Sequence, residues 1–124
     1  MSAPQVLFWV NILILVPVGF GTLLKASATD HGAFAESAGW RTLVGSLWLA
    51  ILALSVLGVR QPEAFLWLLA FQVFYKSVWL LAYVMPRLLA GRRSEIPAGI
   101  TLSFVVIVLV WPWFIPWGRL FGAL

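Results

Sequence analysis

Residues 71–80 read FQVFYKSVWL, which puts Gln72, Tyr75 and Lys76 close together inside one of the most apolar stretches of the chain. An amide, a phenol and an amine at this spacing can hold an acceptor group of a bound molecule, or exchange a proton with it. No carboxylate stands near them in the sequence. A 100° step per residue puts Phe65, Gln72, Lys76, Trp79, Tyr83 and Arg87 on one helical stripe, with Leu66, Phe74, Val78 and Leu81 off it. Polar groups that share one face of an apolar helix should look inward, because lipid satisfies neither amides nor ammonium groups.

The composition names the setting in which this lysine must be placed. Of 124 residues, 63% are hydrophobic and 10% charged, whereas a soluble domain is about a quarter charged. A small globule cannot hide that much apolar surface, so an integral membrane protein is expected. The net charge of +4 does not point to nucleic acid. The basic residues flank apolar segments and form no patch, which is the pattern of topology signals. With no cysteine and one histidine, His31, thiolate chemistry and multi-histidine metal sites are excluded, and no metal or cofactor is expected.

Four segments approach the roughly 20 apolar residues that a spanning helix needs: about 6–24, 40–59, 62–85 and 96–117. Ser37 and Ser94 are the expected N-caps of the second and fourth. Pro62 suits a first helical position, with Glu63 favoured by the helix dipole. The tight GVRQP turn at 58–62 makes the second and third spans antiparallel neighbours. Ala26 and Ala28 form an Ala-x-Ala pattern after the first apolar run. That run is longer than the ~7–15 residues of a signal peptide and lacks a positive leader, so it is read as a retained span. Lys25, Arg41, Arg87, Arg92 and Arg93 fall on one side, Arg60 and Arg119 on the other. Five against two predicts a single all-α, four-helix transmembrane domain with both termini outside.

The same reading gives faces for the other spans. Leu7, Asn11, Leu15, Val18, Thr22 and Lys25 align on the first. Arg41, Thr42, Gly45, Ser46, Leu49, Ala53 and Val56 align on the second, with Leu43, Leu47, Ile51 and Leu54 toward lipid. Thr101, Val105, Val108 and Pro112 align on the fourth, and Ser103, on its far side, is expected to bond back to its own helix. The candidate binding residues are therefore Lys76, Gln72, Tyr83, Ser46, Thr22, Asn11 and Arg41. Three roles stand open for Lys76: snorkelling toward the cytoplasmic surface, hydrogen bonding within the bundle, and a ligand, partner or catalytic role.

Pro17, near Gly19 and Gly21, should kink the first helix, and Pro112 and Pro116 the fourth. Such kinks are ordinary packing features or the walls of a cavity. Trp9, Trp67, Trp111, Trp113 and Trp117 read as an aromatic interface belt, with a pocket mouth as the alternative. Asp30-His31-Gly32 reads as a capped turn in the polar 25–39 loop, with an Asp30–His31 proton-handling pair as the alternative.

Small multidrug-resistance transporters are similar in length, but they work through a glutamate in the first helix, where this chain has Asn11. GWRTLVG at the second span, with Arg41 four residues before Gly45, the GVRQP turn, and FQVFYK in the third span resemble small four-span bacterial membrane proteins of the DoxX-like kind. That resemblance implies a four-helix fold. The chain is thus expected in a bacterial cytoplasmic membrane, as a non-enzymatic binding or accessory protein. Its expected partners are membrane lipids and a lipophilic small molecule, or further copies or a larger membrane complex, held through the Lys76 face. A membrane enzyme using Lys76 or Tyr83 as acid or base, and an oligomeric anion transporter, are the alternatives.

Overall fold

The structure is a computed structural model, and it describes residues 1–25, 27–122 and 124. Ala26 of the Ala-x-Ala pattern lies outside the described residues. The fold is all helical, with no strand among the described residues.

Helix α1, Ala3–Leu24, opens on a capping box in which the Ser2 hydroxyl accepts from Gln5 N–H while the Gln5 side chain accepts from Ser2 N–H. It runs unbroken through Pro17. A short helix α2, Ser27–Asp30, follows. Helix α3, Ala38–Arg60, begins at Ser37, whose hydroxyl accepts from Trp40 N–H, as expected. A 3-10 turn, Pro62–Phe65, leads into α4, Leu66–Trp79. A π-helical turn, Leu80–Val84, then joins α4 to α5, Met85–Leu89. In that turn Met85 N–H reaches back to Leu80 O. Pro86 explains the wide turn, since it offers no N–H to Ala82 O and its ring crowds that carbonyl.

The last part of the chain departs from expectation. Helix α6, Ala98–Val110, starts at Pro97, not at Ser94, which sits in a separate 3-10 turn, Arg93–Glu95. The residue before a proline is driven to extended backbone, and Ile96 adopts φ −109°, ψ 114°, so the helix cannot begin earlier. Pro112 and Pro116 do more than kink this helix. The α-helix stops at Val110, turns 3-10 over Trp111–Trp113, and the chain folds back into α7, Trp117–Gly122. Ala3–Leu24, Ala38–Arg60 and Pro62–Leu89 are long and apolar enough to cross a membrane, while Ala98–Trp113 is a shorter apolar helix.

Small residues set the closest helix contact, that of α1 with α3. A Cβ on Gly45 would lie 3.0 Å from both Cα and N of Leu23, and one on Gly58 would lie 2.7 Å from the Phe8 ring. Where apolar burial does not drive association, such close backbone approach supplies the van der Waals contact that does. Two apolar clusters result. One gathers Leu7, Phe8, Leu66, Leu69, Ile107 and Trp111 with Ile115 and Leu120. The second gathers Leu15, Trp48, Ile51 and Phe104, with Tyr75 and Trp79 packed on it. The Arg119–Glu63 pair, at 2.9 Å, ties α7 to the start of the third long helix.

Several expected faces are corrected. On α3 the buried residues are Gly45, Trp48, Ile51, Ser55 and Gly58. Thr42, Ser46, Ala53 and Val56 are exposed, and Ile51, expected toward lipid, is 2% exposed. Gly45 sits on both stripes, but the true face lies on the other side of it. On α6 the inward residues are Phe104 and Ile107, with Thr101, Val105 and Val108 only partly buried. Leu66 is core. Trp111 is core as well, whereas Trp9, Trp67 and Trp113 are exposed. Of the α1 stripe, Leu7, Asn11, Leu15 and Thr22 are buried as expected, Val18 is partly buried and Lys25 is exposed.

Candidate ligand-binding site

Lys76 stands midway along the Pro62–Leu89 helix, 14 residues from one end and 13 from the other. At about 1.5 Å per residue this is roughly 20 Å from either end. The side chain does not extend toward a surface; it is 3% exposed, beside Gln72 at 0%. Its Nζ donates to the Tyr75 hydroxyl at 2.8 Å and to Gln72 Oε1 at 3.3 Å. The same nitrogen lies 4.5 Å from the Tyr75 ring centroid and 4.8 Å from that of Phe104, close enough for both ring faces to attract a cation.

Each of these partners is fixed by something else. Trp48 Nε1, from α3, donates to the Tyr75 oxygen at 3.2 Å, so that oxygen receives two donors and uses both lone pairs. Gln72 Nε2 donates to Leu68 O within its own helix. Phe104, from α6, packs edge-on against Tyr75 and Trp79. None of the ion pairs among the described residues includes Lys76. The four acids sit at helix ends and turns: Asp30 in α2, Glu36 before α3, Glu63 in the first turn of the third helix and Glu95 before α6. The amine is thus held by dipoles and ring faces, with no carboxylate within ion-pair distance among the described residues.

Lys76 lines a cavity of 240 Å³ together with Asn11, Leu15, Trp48, Ser103 and Phe104. Asn11 is held in place by donating to Ser55 Oγ at 3.1 Å, and Ser55 bonds back to Ile51 O. Thr29 and His31 also line it. A second cavity of 580 Å³ shares Thr29, Trp48 and Ile100 with the first and adds Thr22, Arg41, Trp79 and Tyr83. It reaches the surface at Trp40 and Phe34, both of which are exposed. Pockets of this combined character, mostly apolar with a few convergent polar groups, are the usual form of small-molecule sites.

The 25–39 segment contributes more than a polar loop. Thr22 and Thr29 hydroxyls are 2.8 Å apart, joining α1 to α2. Phe34 packs edge-on against Tyr83, and Tyr83 stacks on Trp79 at 5.4 Å. The Tyr83 hydroxyl donates to Glu95 O at 2.6 Å. Arg41 donates to Leu23 O and to Glu36. Asp30 accepts from Gly32 N–H at 2.7 Å, with His31 at φ 54° and Gly32 at φ 80°. This is a capped turn, as read from the sequence.

The expected site residues therefore divide. Lys76 and Gln72 are in direct contact, and Asn11 faces the same cavity. Thr22, Arg41 and Tyr83 line the adjoining one. Ser46 is exposed and lines neither cavity, because α3 turns its other side inward. Tyr75, Trp48, Phe104 and Ser55 were missed. Tyr75 is adjacent to Lys76 in FQVFYK, but neighbours on a helix diverge by 100°, and only the long lysine stem brings them together. Ser103 bonds to Ile100 O, as expected, while lining the cavity.

No family model matches the chain, and neither does any curated protein or solved structure.

Proposed function

We propose that this is a non-enzymatic membrane protein that binds a lipophilic molecule, holding an acceptor group of that molecule, a carbonyl or anionic oxygen, at Lys76. The observation that carries this reading is a lysine buried in mid-helix with no ion-pair partner among the described residues, on the wall of a mostly apolar cavity. An ammonium so placed costs several kcal/mol in a membrane, and a bound acceptor is the partner it lacks. An ammonium has three N–H donors, and two are used by Tyr75 and Gln72. In this reading the apolar body of the ligand lies along the aromatic walls of the two adjoining cavities, and Asn11 supplies the second polar contact.

The three long helices and Ala98–Trp113 act here as a four-helix unit in a bacterial-type cytoplasmic membrane. The loop charges favour both termini outside, which puts Arg41 and the wider cavity at the cytoplasmic side. The test is native mass spectrometry of protein purified in mild detergent, which reports bound mass and subunit number together. A stoichiometric lipophilic adduct is expected. Protein that is free of any adduct, and takes up none when supplied with membrane extract, contradicts the reading.

The Tyr75–Lys76 contact favours a second reading. A phenol and an amine 2.8 Å apart form a unit that can relay a proton to a lipophilic substrate. Turnover of an added substrate, lost in Tyr75→Phe, would select this reading over binding alone.

A further inference from the structure

A second apolar groove lies outside the Lys76 cavities, between the end of the third long helix and α6. Its upper part, 450 Å³, begins at Arg93 and runs past Thr101 to Leu88 and Val105. Its lower part, 260 Å³, shares Leu88 and Val105 and continues to Leu80 and Leu109. Leu88 is half exposed and Leu109 more than half, so the groove opens to the surroundings of the helices. From Ala98 to Leu109 the helix rises about 17 Å, close to half of a roughly 30 Å hydrocarbon core. The charges at the head are unevenly matched. Glu95 pairs with both Arg87 and Arg92. Arg93 is exposed and has no ion-pair partner among the described residues. The Thr101 hydroxyl, between the basic and apolar levels, has no hydrogen-bond partner among the described residues.

We infer that this groove seats one anionic phospholipid, with its phosphate on Arg93 and an acyl chain along Leu88, Val105 and Leu109. The apolar part accepts the chain of any lipid; the unpaired guanidinium gives the preference for a net negative headgroup. The inference rests on reading the long helices as membrane spans and is independent of Lys76.

The test is native mass spectrometry of the full chain in detergent with equal amounts of phosphatidylglycerol and phosphatidylcholine of matched chains. The parent should retain phosphatidylglycerol over phosphatidylcholine by about fivefold, the factor one basic residue contributes at an anionic surface. Arg93→Gln, an exposed change, should bring the ratio close to one. Arg60→Gln, at the opposite end of the helices, should leave it unchanged. Val105→Trp should lower retention of both lipids by filling the groove. Equal retention of the two lipids by the parent, a preference that survives Arg93→Gln, or retention indifferent to Val105→Trp would each overturn the inference.

Discussion

The Lys76 amine and the Tyr75 hydroxyl are 2.8 Å apart in mid-helix, and Trp48 from α3 donates to the same oxygen. One phenol thus ties the buried lysine to the neighbouring helix. Tyr75→Phe removes the shared acceptor and leaves two buried donors short of a partner, at a cost of about 1–3 kcal/mol. Trp48→Phe removes one of those donors. The two losses should be less than additive when measured by thermal or denaturant unfolding in detergent. Additive losses would mean that the Trp48–Tyr75 contact contributes nothing.

The α1–α3 contact depends on Gly45 lying against the Leu23 backbone. Backbone cannot move aside as a flexible side chain can. Gly45→Leu should destabilise by at least the ~1–3 kcal/mol typical of overpacking. Leu47→Ala, at an exposed position, should change stability by no more than about 0.5 kcal/mol. Thermal-shift measurements on the two variants check the pair, and equal tolerance would show that this face is misplaced.

Asn11 and Ser55 form the second buried polar link, at 3.1 Å. Ser55→Ala leaves the Asn11 amide without this acceptor and should cost about 1–2 kcal/mol. Ser46→Ala, on the exposed side of the same helix, should be silent. A Ser46→Ala loss as large as that of Ser55→Ala would restore the face expected from the sequence.

The cysteine-free chain makes topology directly measurable. Single cysteines at Ala35 and Ser94 should resist an impermeant thiol reagent in intact cells, and one at Ser2 should react. The reverse pattern would invert the orientation proposed from the loop charges.

How much of this was legible in the sequence follows from where polarity breaks the apolar background. On α1, Asn11 and Thr22 mark the inward face, and the structure buries both. On the third helix, Gln72 and Lys76 do the same. On α3 the cue misled. Thr42 and Ser46 suggested one face, while Gly45, Trp48, Ser55 and Gly58 define the true one. In a chain whose outside is also apolar, hydrophobicity cannot separate inside from outside, and a lone hydroxyl can bond to its own helix while facing lipid. Small residues at close-approach spacing would have been the better guide. The extent of the last helix was hidden for another reason. WPWFIPW is apolar enough to extend a span, but two prolines four residues apart withdraw the N–H groups a helix needs there. The cavity itself, built from α1, α3, the third helix and α6, is a tertiary property that no single stripe reveals.

The central claim is that Lys76 holds an acceptor group of a bound lipophilic molecule. The most direct measurement compares the parent with Lys76→Met by native mass spectrometry and thermal unfolding on the same preparations. Methionine keeps most of the stem and removes the cost of the buried charge, which offsets the acceptor left unpaired at Gln72 Oε1, so the variant should still fold, with a stability within about 2 kcal/mol of the parent. It should lose the lipophilic adduct carried by the parent, while any phospholipid seated at Arg93 stays. A Lys76→Met protein that retains the same adduct at the same occupancy would contradict the account.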